Sequence, residues 1–323
     1  MSADRAPRLI ALDWGTTSLR AYLLGEDGVV LDRRAEPAGI LQVPGRDFAG
    51  AFRTVVGDWR ASSPGLPLLA SGMIGSAQGW VEAPYVDVPA DVDAVARSLV
   101  TVPGTGLRIV PGLAQRGADP DVMRGEETQL FGGMLASPAL AAGGTVVLPG
   151  THSKWVRTVG GRIERFTTYM TGEVYAVLRG HSILGRLADR AERVTDEPGP
   201  AFRRGVRAAR RSTAGLASVL FSARSAVLVG DLPAAESLEY LSGLLIGDEI
   251  RSALSSGDAP TALIGEGSLC ARYAFALAEF DVSDIEILGD TAPAGLWLIA
   301  RRAGLALQRG EGPSRRPVSG RFL

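Results

Sequence analysis

Glycine-bearing turns separate short apolar runs at the start of the chain, and the same arrangement recurs near its middle. Runs of this length, joined by turns such as Asp27-Gly28, are typical of antiparallel strands. The pattern predicts strands over 8–14, 19–24 and 29–36 in the first set, and over 145–149, 154–159 and 162–170 in the second. Because both sets read strand, polar turn, strand, glycine turn, strand, we infer two related halves.

Residues with helical spacing follow each set of strands. Helices are predicted over 46–61, 90–100, 125–135, 171–186 and 236–255. The last three of these are the clearest, and in 236–255 Leu238, Leu241, Leu245 and Ile250 recur near helical spacing. Further short buried strands are predicted over 67–70, 227–229, 261–264 and 285–288. Strands that alternate with helices indicate an α/β fold.

Charge and cysteine content narrow the function classes. The net charge of the 323 residues is −1, so no single-sign field attracts nucleic acid or a membrane surface. The single Cys270 leaves no partner for an internal disulfide and no multi-cysteine zinc site. No apolar run is long enough to span a bilayer. We expect a soluble, cytoplasmic protein with small-molecule ligands and no nucleic-acid or membrane partner; the sequence allows a homo-oligomer.

One turn in each half carries hydroxyl groups. Gly15-Thr16-Thr17-Ser18 follows the first strand of the first half, and Gly150-Thr151-His152-Ser153 follows the first strand of the second. Backbone N–H groups and hydroxyls in such turns form concave anion sites, and two of them facing each other across a cleft could hold a polyphosphate. The alternative is that Gly, Thr and Ser fill ordinary hairpin turns for conformational reasons.

Two charged residues favour phosphate binding. Asp13 ends the first strand, and carboxylate oxygen is a preferred ligand of the Mg²⁺ that phosphoryl transfer requires. Lys154 follows the second turn and is the only lysine. We predict that Asp13 binds Mg²⁺ and that phosphate contacts come from Gly15, Thr16, Thr17, Ser18, Gly150, Thr151, Ser153 and Lys154.

These turns resemble the two phosphate motifs of the actin-like ATPase superfamily, which includes sugar kinases, hexokinases and heat-shock ATPases. Ile264-Gly265-Glu266-Gly267-Ser268 is similar to its adenosine motif, which implies that Gly265, Gly267 and Ser268 bind ATP. Segments 236–255 and 290–303 resemble its connecting helices. The implied fold is α/β, with two ribonuclease-H-like domains flanking a nucleotide cleft: 1–115 on the substrate side, 116–307 on the adenosine side, and a flexible tail over 308–323.

A narrower resemblance covers nearly the whole chain. IALDWGTTSLRAYL, SGMIGSAQGWVEAPY, MRGEETQLFG, LPGTHSKWV, YLSGLLIGDEI and GDTAPAGLWLIA occur in this order and closely resemble the 2-dehydro-3-deoxygalactonokinase family. The resemblance implies ATP-dependent phosphorylation of the 6-hydroxyl of 2-dehydro-3-deoxy-D-galactonate in galactonate catabolism. Two alternatives stay open: a kinase for another sugar or sugar acid of the same fold, and a non-catalytic ATP-binding sensor.

A kinase that acts on an alcohol needs a carboxylate to accept the hydroxyl proton. Glu126 and Glu127 begin a predicted helix, where related sugar kinases place an Asp. Successive helix residues point about 100° apart, so only one of the pair should face a cleft. The competing interpretation is a favourable charge at a helix N-terminus, and the choice between the two residues stays open.

The acidic substrate calls for a cation, for which Arg20 and Arg124 are the candidates because guanidinium binds carboxylate in a bidentate manner. Met73, Ile74 and Gly75 follow a predicted strand and could present backbone N–H groups to the sugar. Trp80 and Tyr85 are candidate walls of that pocket, although packing in the core is the commoner role of such aromatic residues.

Overall fold

The computed structural model describes residues 6–186, 198–257 and 259–306, and these form two compact units. The first unit comprises the described residues within 1–86, 92–112 and 292–323, and the second those within 87–91 and 113–291. The domain boundary between residues 115 and 116 stays a prediction; the units differ from it in that the last helix belongs to the first unit. The predicted tail over 308–323 lies outside the described residues.

Strands and helices alternate along the chain, as an α/β fold requires. The strands are β1 Leu9–Trp14, β2 Leu19–Leu24, β3 Val30–Glu36, β4 Leu68–Ser71, β5 Tyr85–Asp87, β6 Val100–Thr101, β7 Leu107–Ile109, β8 Gly112–Gln115, β9 Asp121–Met123, β10 Gly143–Leu148, β11 Ser153–Val159, β12 Arg162–Tyr169, β13 Ala262–Ile264 and β14 Glu286–Leu288. The helices are α1 Phe48–Ser62, α2 Val92–Arg97, α3 Glu126–Ala136, α4 Pro138–Ala142, α5 Thr171–His181, α6 Pro200–Arg211, α7 Leu216–Leu220, α8 Ser222–Leu228, α9 Ser237–Ser255, α10 Gly267–Ala278 and α11 Ala292–Arg302. Over the described ranges, none of the helices combines the length and apolarity of a membrane span.

The first unit is built on a six-stranded sheet of order β3-β2-β1-β4-β7-β6. β1 pairs antiparallel with β2 and parallel with β4, so it lies inside the sheet. Ile10, Leu12 and Trp14 on one face of β1 join a core that also contains Phe52 and Val56 of α1. Alternation then puts Asp13 on the other face, at the carboxyl end of the strand.

The second unit repeats this topology in a five-stranded sheet of order β12-β11-β10-β13-β14. β10 pairs antiparallel with β11 and parallel with β13, as β1 does with β2 and β4. Val147 and Leu263 pack with α6, α9 and α10 in its core. A third, smaller sheet has the order β5-β8-β9. The predicted duplication of strand, turn, strand, turn, strand is therefore confirmed.

Two of the predicted strands differ from the structure. Residues 227–229 end helix α8 instead of forming a strand, and Leu228 and Val229 are 61% and 69% exposed. A three-residue apolar run fits a strand and a helix end equally well, so its pattern alone could not decide. β14 does form, but it is the edge strand of its sheet, and Ile287 is 49% exposed where a buried strand was expected.

The polar turn of each unit is held by a glycine segment that follows the third strand. Gly39 lies three residues after β3, and a Cβ there would come within 2.4 Å of the Thr16 backbone. Gly172 lies three residues after β12, and a Cβ there would come within 2.6 Å of the Gly150 carbonyl oxygen. Only a glycine lets the two backbones approach so closely. The duplication thus extends to the contact that shapes each turn.

We predict that Gly172→Ala destabilises the protein, whereas Gly180→Ala in the same helix does not. The new methyl at 172 would overlap the backbone of the turn, and such overpacking costs about 1–3 kcal/mol. A Cβ at 180 meets nothing within 4 Å, and replacing glycine in a helix stabilises it by up to about 1 kcal/mol. Thermal unfolding of both variants is the measurement; equal melting temperatures would contradict the close approach at Gly172.

Candidate functional site

The first polar turn, residues 15–18, has three of its carbonyl groups hydrogen-bonded within the first unit. Gly15 N–H donates to the Ser18 carbonyl at 2.9 Å, while the amides of Ile40 and Leu41 donate to the Gly15 and Thr16 carbonyls at 3.0 and 3.2 Å. Thr16 and Thr17 are exposed. The bonded carbonyls and the two exposed threonines are compatible with an anion site, which needs donors instead of acceptors on its surface.

The second polar turn, residues 150–153, is held in the same manner. The Glu173 amide donates to the Thr151 carbonyl at 3.0 Å, which uses an acceptor of the turn from the side of α5. Thr151 and His152 are exposed, and His152 Nε2 lies 2.5 Å from Glu173 Oε2. The exposed residues of this turn are thus a threonine and a histidine that contacts an acidic partner.

Ser153, the last residue of the second turn, lies beneath it instead of on its rim. Its side chain is fully buried, and its Oγ lies 2.8 Å from the Tyr273 hydroxyl and accepts from the Gly150 amide at 3.4 Å. Direct binding of phosphate by Ser153 stays a prediction. Its position in the structure favours a role in holding the turn.

Asp13 lies beside a buried hydroxyl and an arginine within the first unit. Asp13 and Ser71 are register partners on the parallel strands β1 and β4, so both side chains lie on the same face of the sheet. Ser71 Oγ is buried and has no hydrogen-bond partner in the described part of the chain. A Cβ at Gly72 would lie 3.4 Å from Asp13 Oδ1. The carboxylate thus has the residues Ser71 and Gly72 close to it, and a side chain at position 72 would also meet the Trp14 carbonyl oxygen at 2.7 Å.

Arg20 contacts the same carboxylate, with Nη1 3.4 Å from Asp13 Oδ2. The Arg20 side chain is 47% exposed, and exposed ion pairs of this kind contribute about 0–1 kcal/mol. The guanidinium can therefore leave Asp13 for another anion at small cost. Both predicted roles, metal binding for Asp13 and substrate binding for Arg20, stay predictions.

The two glutamates that begin α3 have different environments. Glu127 is fully buried, and its Oε2 accepts from the Gly125 amide at 2.7 Å. Glu126 is 26% exposed, and its Oε1 lies 3.5 Å from Lys154 Nζ. Only Glu126 can therefore meet a ligand without a rearrangement of the helix.

Burial also changes the protonation of Glu127. Removal from water, followed by the neighbouring charge of Glu126, raises the pKa of the Glu127 carboxyl to about 8, although two backbone amides and the charge of Arg124 act in the opposite direction. Glu127 is consequently protonated at neutral pH. A neutral carboxyl without access to solvent is a poor proton acceptor for a substrate.

Lys154 connects the second turn to α3. It is the second residue of β11, and only 5% of its side chain is exposed. Its ammonium group contacts Glu126 from the strand that leaves the turn. A compact ammonium suits this site because it interacts as a point charge and needs no planar partner.

A cavity of about 230 Å³ opens beside the second turn. Gly150 and Gly172 line one part of it, and Ser268 and Leu269 of α10 line another, with apolar walls from α9. Glu266 caps α10 by accepting from the amides of Ser268 and Leu269 at 3.0 and 2.9 Å. The predicted phosphate turn and adenosine motif thus border one cavity, although Gly265 and Gly267 do not line it.

The remaining predicted substrate residues lie mostly within packed structure. Ile74 is fully buried, and Met73 packs against the same core. Trp80 meets Trp14 edge to face with ring centroids 6.4 Å apart, which favours the core role over a pocket wall. The other positions are Gly75, buried with its amide bonded to the Gly72 carbonyl, Tyr85, 39% exposed on β5, and Arg124, buried before α3.

The chain is similar to proteins of one kinase family. The family model for 2-keto-3-deoxy-galactonokinase matches residues 13–299. The probable 2-dehydro-3-deoxygalactonokinase DgoK1 of Rhizobium meliloti (strain 1021) is 40% identical over 302 residues, which cover 90% of this chain and 96% of that protein. The 2-dehydro-3-deoxygalactonokinase of Escherichia coli (strain K12) is 38% identical over 298 residues, 91% and 97% of the two chains.

A solved structure agrees with these relatives. The crystal structure of a protein from Sinorhizobium meliloti, described as a 2-dehydro-3-deoxygalactonokinase, matches with a TM-score of 0.83 and 38% identity. The match covers 91% of this chain and 98% of that one. The similarity therefore includes both units and the segments that carry the candidate site.

We predict that Glu127→Gln removes a pH dependence of stability. The pKa of Glu127 is about 8 in the folded protein against an ordinary 4.5, so the folded state binds the extra proton. The free energy of unfolding of the parent protein should fall as pH rises through this window, by at most about 1.4 kcal/mol per pH unit.

Denaturant unfolding at several pH values tests this. Glu127→Gln, an uncharged mimic of the protonated acid, should flatten the decline, whereas Glu36→Gln on exposed β3 should leave it unchanged. An identical decline in Glu127→Gln and the parent protein would show that this carboxyl is not the cause.

Proposed function

The chain belongs to the 2-keto-3-deoxy-galactonokinase family, and from that premise we propose that it transfers the γ-phosphoryl group of ATP to the 6-hydroxyl of 2-dehydro-3-deoxy-D-galactonate. The enzyme is thus a phosphotransferase with an alcohol acceptor, and its reaction is a step of galactonate catabolism. The observation that supports this most directly is the cavity of the second unit, which borders both the turn at 150–153 and the start of α10.

The nucleotide is bound mainly through backbone groups. The outward amides and hydroxyls of the turn at 150–153 receive phosphate oxygens, and those of the turn at 15–18 do the same in the first unit. The adenosine lies against α10, where Ser268 and Leu269 line the cavity. The carbonyl groups of Gly15 and Thr16 in the first turn and of Thr151 in the second are already bonded to the glycine segments, which reduces the repulsion that a phosphate would meet from acceptors.

Asp13 fits a role as a magnesium ligand. No cluster of three His, Cys, Asp or Glu side chains suited to a metal occurs among residues 6–186, 198–257 and 259–306. One carboxylate suffices for Mg²⁺, which keeps several waters and takes other ligands from phosphate. The buried, unpartnered Ser71 hydroxyl beside Asp13 is suited to bind such a water. When bound, Mg²⁺ would neutralise charge on the transferred phosphoryl group.

Glu126 is the general base of this proposal. It is the exposed member of the pair, and Lys154 holds its side chain at the start of α3, beside the turn at 150–153. Its carboxylate accepts the proton of the 6-hydroxyl as that oxygen attacks the γ-phosphorus. Lys154 supplies positive charge close to the reacting groups. Most of the rate acceleration then comes from positioning and charge neutralisation.

The substrate carboxylate pairs with an arginine. Arg20 is half exposed and weakly held by Asp13, so its guanidinium is accessible; Arg124 adjoins the α3 residues and is buried. Bidentate pairing would distinguish an acidic sugar from a neutral hexose. Met73, Ile74, Gly75, Trp80 and Tyr85 remain proposed neighbours of the sugar. A cytoplasmic location and the use of soluble substrates complete the proposal.

A substrate panel tests the proposed reaction. Purified protein with ATP and Mg²⁺ should form ADP rapidly with 2-dehydro-3-deoxy-D-galactonate and slowly or not at all with neutral hexoses, and phosphorus NMR should detect a 6-phosphate. Turnover confined to other sugars would favour a different sugar kinase. Nucleotide binding without any phosphorylated product would favour a non-catalytic sensor.

We predict that Glu126→Gln lowers kcat by about 10²- to 10⁴-fold, the usual contribution of a general base. Glu127→Gln is the matched control, one residue away, and should keep most of the activity because its carboxyl is buried and protonated. Steady-state kinetics of both variants decide the question. Loss of activity in Glu127→Gln alone would assign the base to Glu127 and refute this choice.

A further inference from the structure

A chain of buried hydroxyls runs from the turn at 150–153 into the core of the second unit. The Gly150 amide donates to Ser153 Oγ at 3.4 Å, and Ser153 Oγ lies 2.8 Å from the Tyr273 hydroxyl. The Tyr273 hydroxyl donates to Glu249 Oε2 at 2.7 Å. Ser153, Tyr273 and Glu249 are at most 3% exposed. Each group can donate to the next in one direction, which strengthens the whole chain.

Glu249 is the fixed end of this chain. Its Oε1 accepts from Trp155 Nε1 at 2.8 Å, and the Thr171 side chain also bonds to it. The carboxyl therefore connects α9 with β11, with the first residue of α5 and, through Tyr273, with α10. Burial raises the pKa of the carboxyl, as it does for the Tyr273 phenol. A polar group at this depth is tolerated only when it is fully hydrogen-bonded.

The other end of this series of hydrogen bonds is the turn at 150–153, which we propose binds phosphate. Gly150, at the start of the turn, lines the nucleotide cavity, and so do Thr171 and Tyr273. The hydrogen bonds of Ser153, Tyr273 and Glu249 thus hold the turn from beneath, while the backbone of Gly172 packs against the backbone of Gly150 and Thr151. A phenylalanine at position 273 would fill the same space but would remove one hydrogen-bond partner from the Ser153 hydroxyl, which keeps the Gly150 amide, and one from the Glu249 carboxyl, which keeps Trp155 and Thr171.

We propose that Tyr273 and Glu249 are positioning residues that set the conformation of the turn at 150–153 for the nucleotide phosphates, acting through the Ser153 hydroxyl. This inference rests on the proposed function of the turn. It adds that nucleotide affinity depends on the hydrogen bonds that these side chains make beneath the turn, whereas binding of the sugar acid does not depend on them. The Ser153 hydroxyl therefore acts from beneath the turn.

The test uses three variants: Tyr273→Phe, Ser153→Ala and the double variant that combines these two changes. Tyr240→Phe serves as the control. Tyr240 is a matched control because it is also buried, at 4% exposure, and its hydroxyl lies 3.0 Å from another serine, Ser222, while its ring packs in a different core cluster from that of Tyr273. Calorimetry with Mg²⁺ and a non-hydrolysable ATP analogue gives Kd, steady-state kinetics give KM for ATP and for the keto acid, and thermal unfolding checks the fold.

Tyr273→Phe should raise the nucleotide Kd and the KM for ATP about tenfold, the effect of one buried group left without its partner. The KM for the keto acid should not change. Ser153→Ala should show the same pattern. The double variant should lose no more nucleotide affinity than either single variant, because both changes interrupt the same series of hydrogen bonds. Tyr240→Phe should leave the nucleotide Kd unchanged, and its only effect should be a lower melting temperature.

An unchanged nucleotide Kd in a folded Tyr273→Phe protein would overturn the inference, since a purely structural network would alter only stability. If Tyr273→Phe does not fold, Ser153→Ala, which removes a single buried oxygen, decides by the same criterion. A parent protein that binds the nucleotide but phosphorylates no keto acid would refute the proposed substrate alone. One that binds no nucleotide would overturn both proposals.

Discussion

The candidate site depends on one constraint: the backbone of each polar turn must be fixed from within the protein, through hydrogen bonds that use carbonyl groups of the turn. In both units this is done by backbone that follows the third strand of the sheet, and it requires glycine at positions 39 and 172. The side chains around a turn can bind an anion only if the turn backbone is fixed. The site therefore depends on the order of the strands, which brings the glycine segment against the turn, as much as on its polar residues.

The extent of burial determines which carboxyl groups near the second turn are charged. Two adjacent glutamates with the same intrinsic acidity differ because the helix start places one against Lys154 and encloses the other in the core. The same principle applies one layer below, where the Glu249 carboxyl is retained in an apolar core by four hydrogen-bonding partners. Neighbouring carboxyls whose pKa values differ in this way are common at functional sites, where one group accepts a proton and the other stabilises the local structure.

Much of the fold could be predicted from the sequence, because β1 to β3 and β10 to β12 each have a local pattern of apolar runs and turn residues. The predicted strand over 227–229 is wrong, because three apolar residues show too little periodicity to distinguish a strand from a helix; α8 extends to Leu228, and Val229 caps it. The two polar turns, Glu126 and Lys154 are predicted as site residues from local sequence patterns, and their roles stay predictions. Tyr273 and Glu249 were missed, since they meet Ser153 and Trp155 across 120 and 94 residues of sequence. Gly39 and Gly172 could have been found by aligning the two halves, where each follows the third strand by three residues.

The most direct measurement of the central claim is a crystal structure with Mg²⁺ and a non-hydrolysable ATP analogue. The account predicts phosphate oxygens within hydrogen-bonding distance of the outward amides of the turn at 150–153, and adenosine against the start of α10. A nucleotide bound with its phosphates away from that turn would contradict the account, whatever the activity of the enzyme.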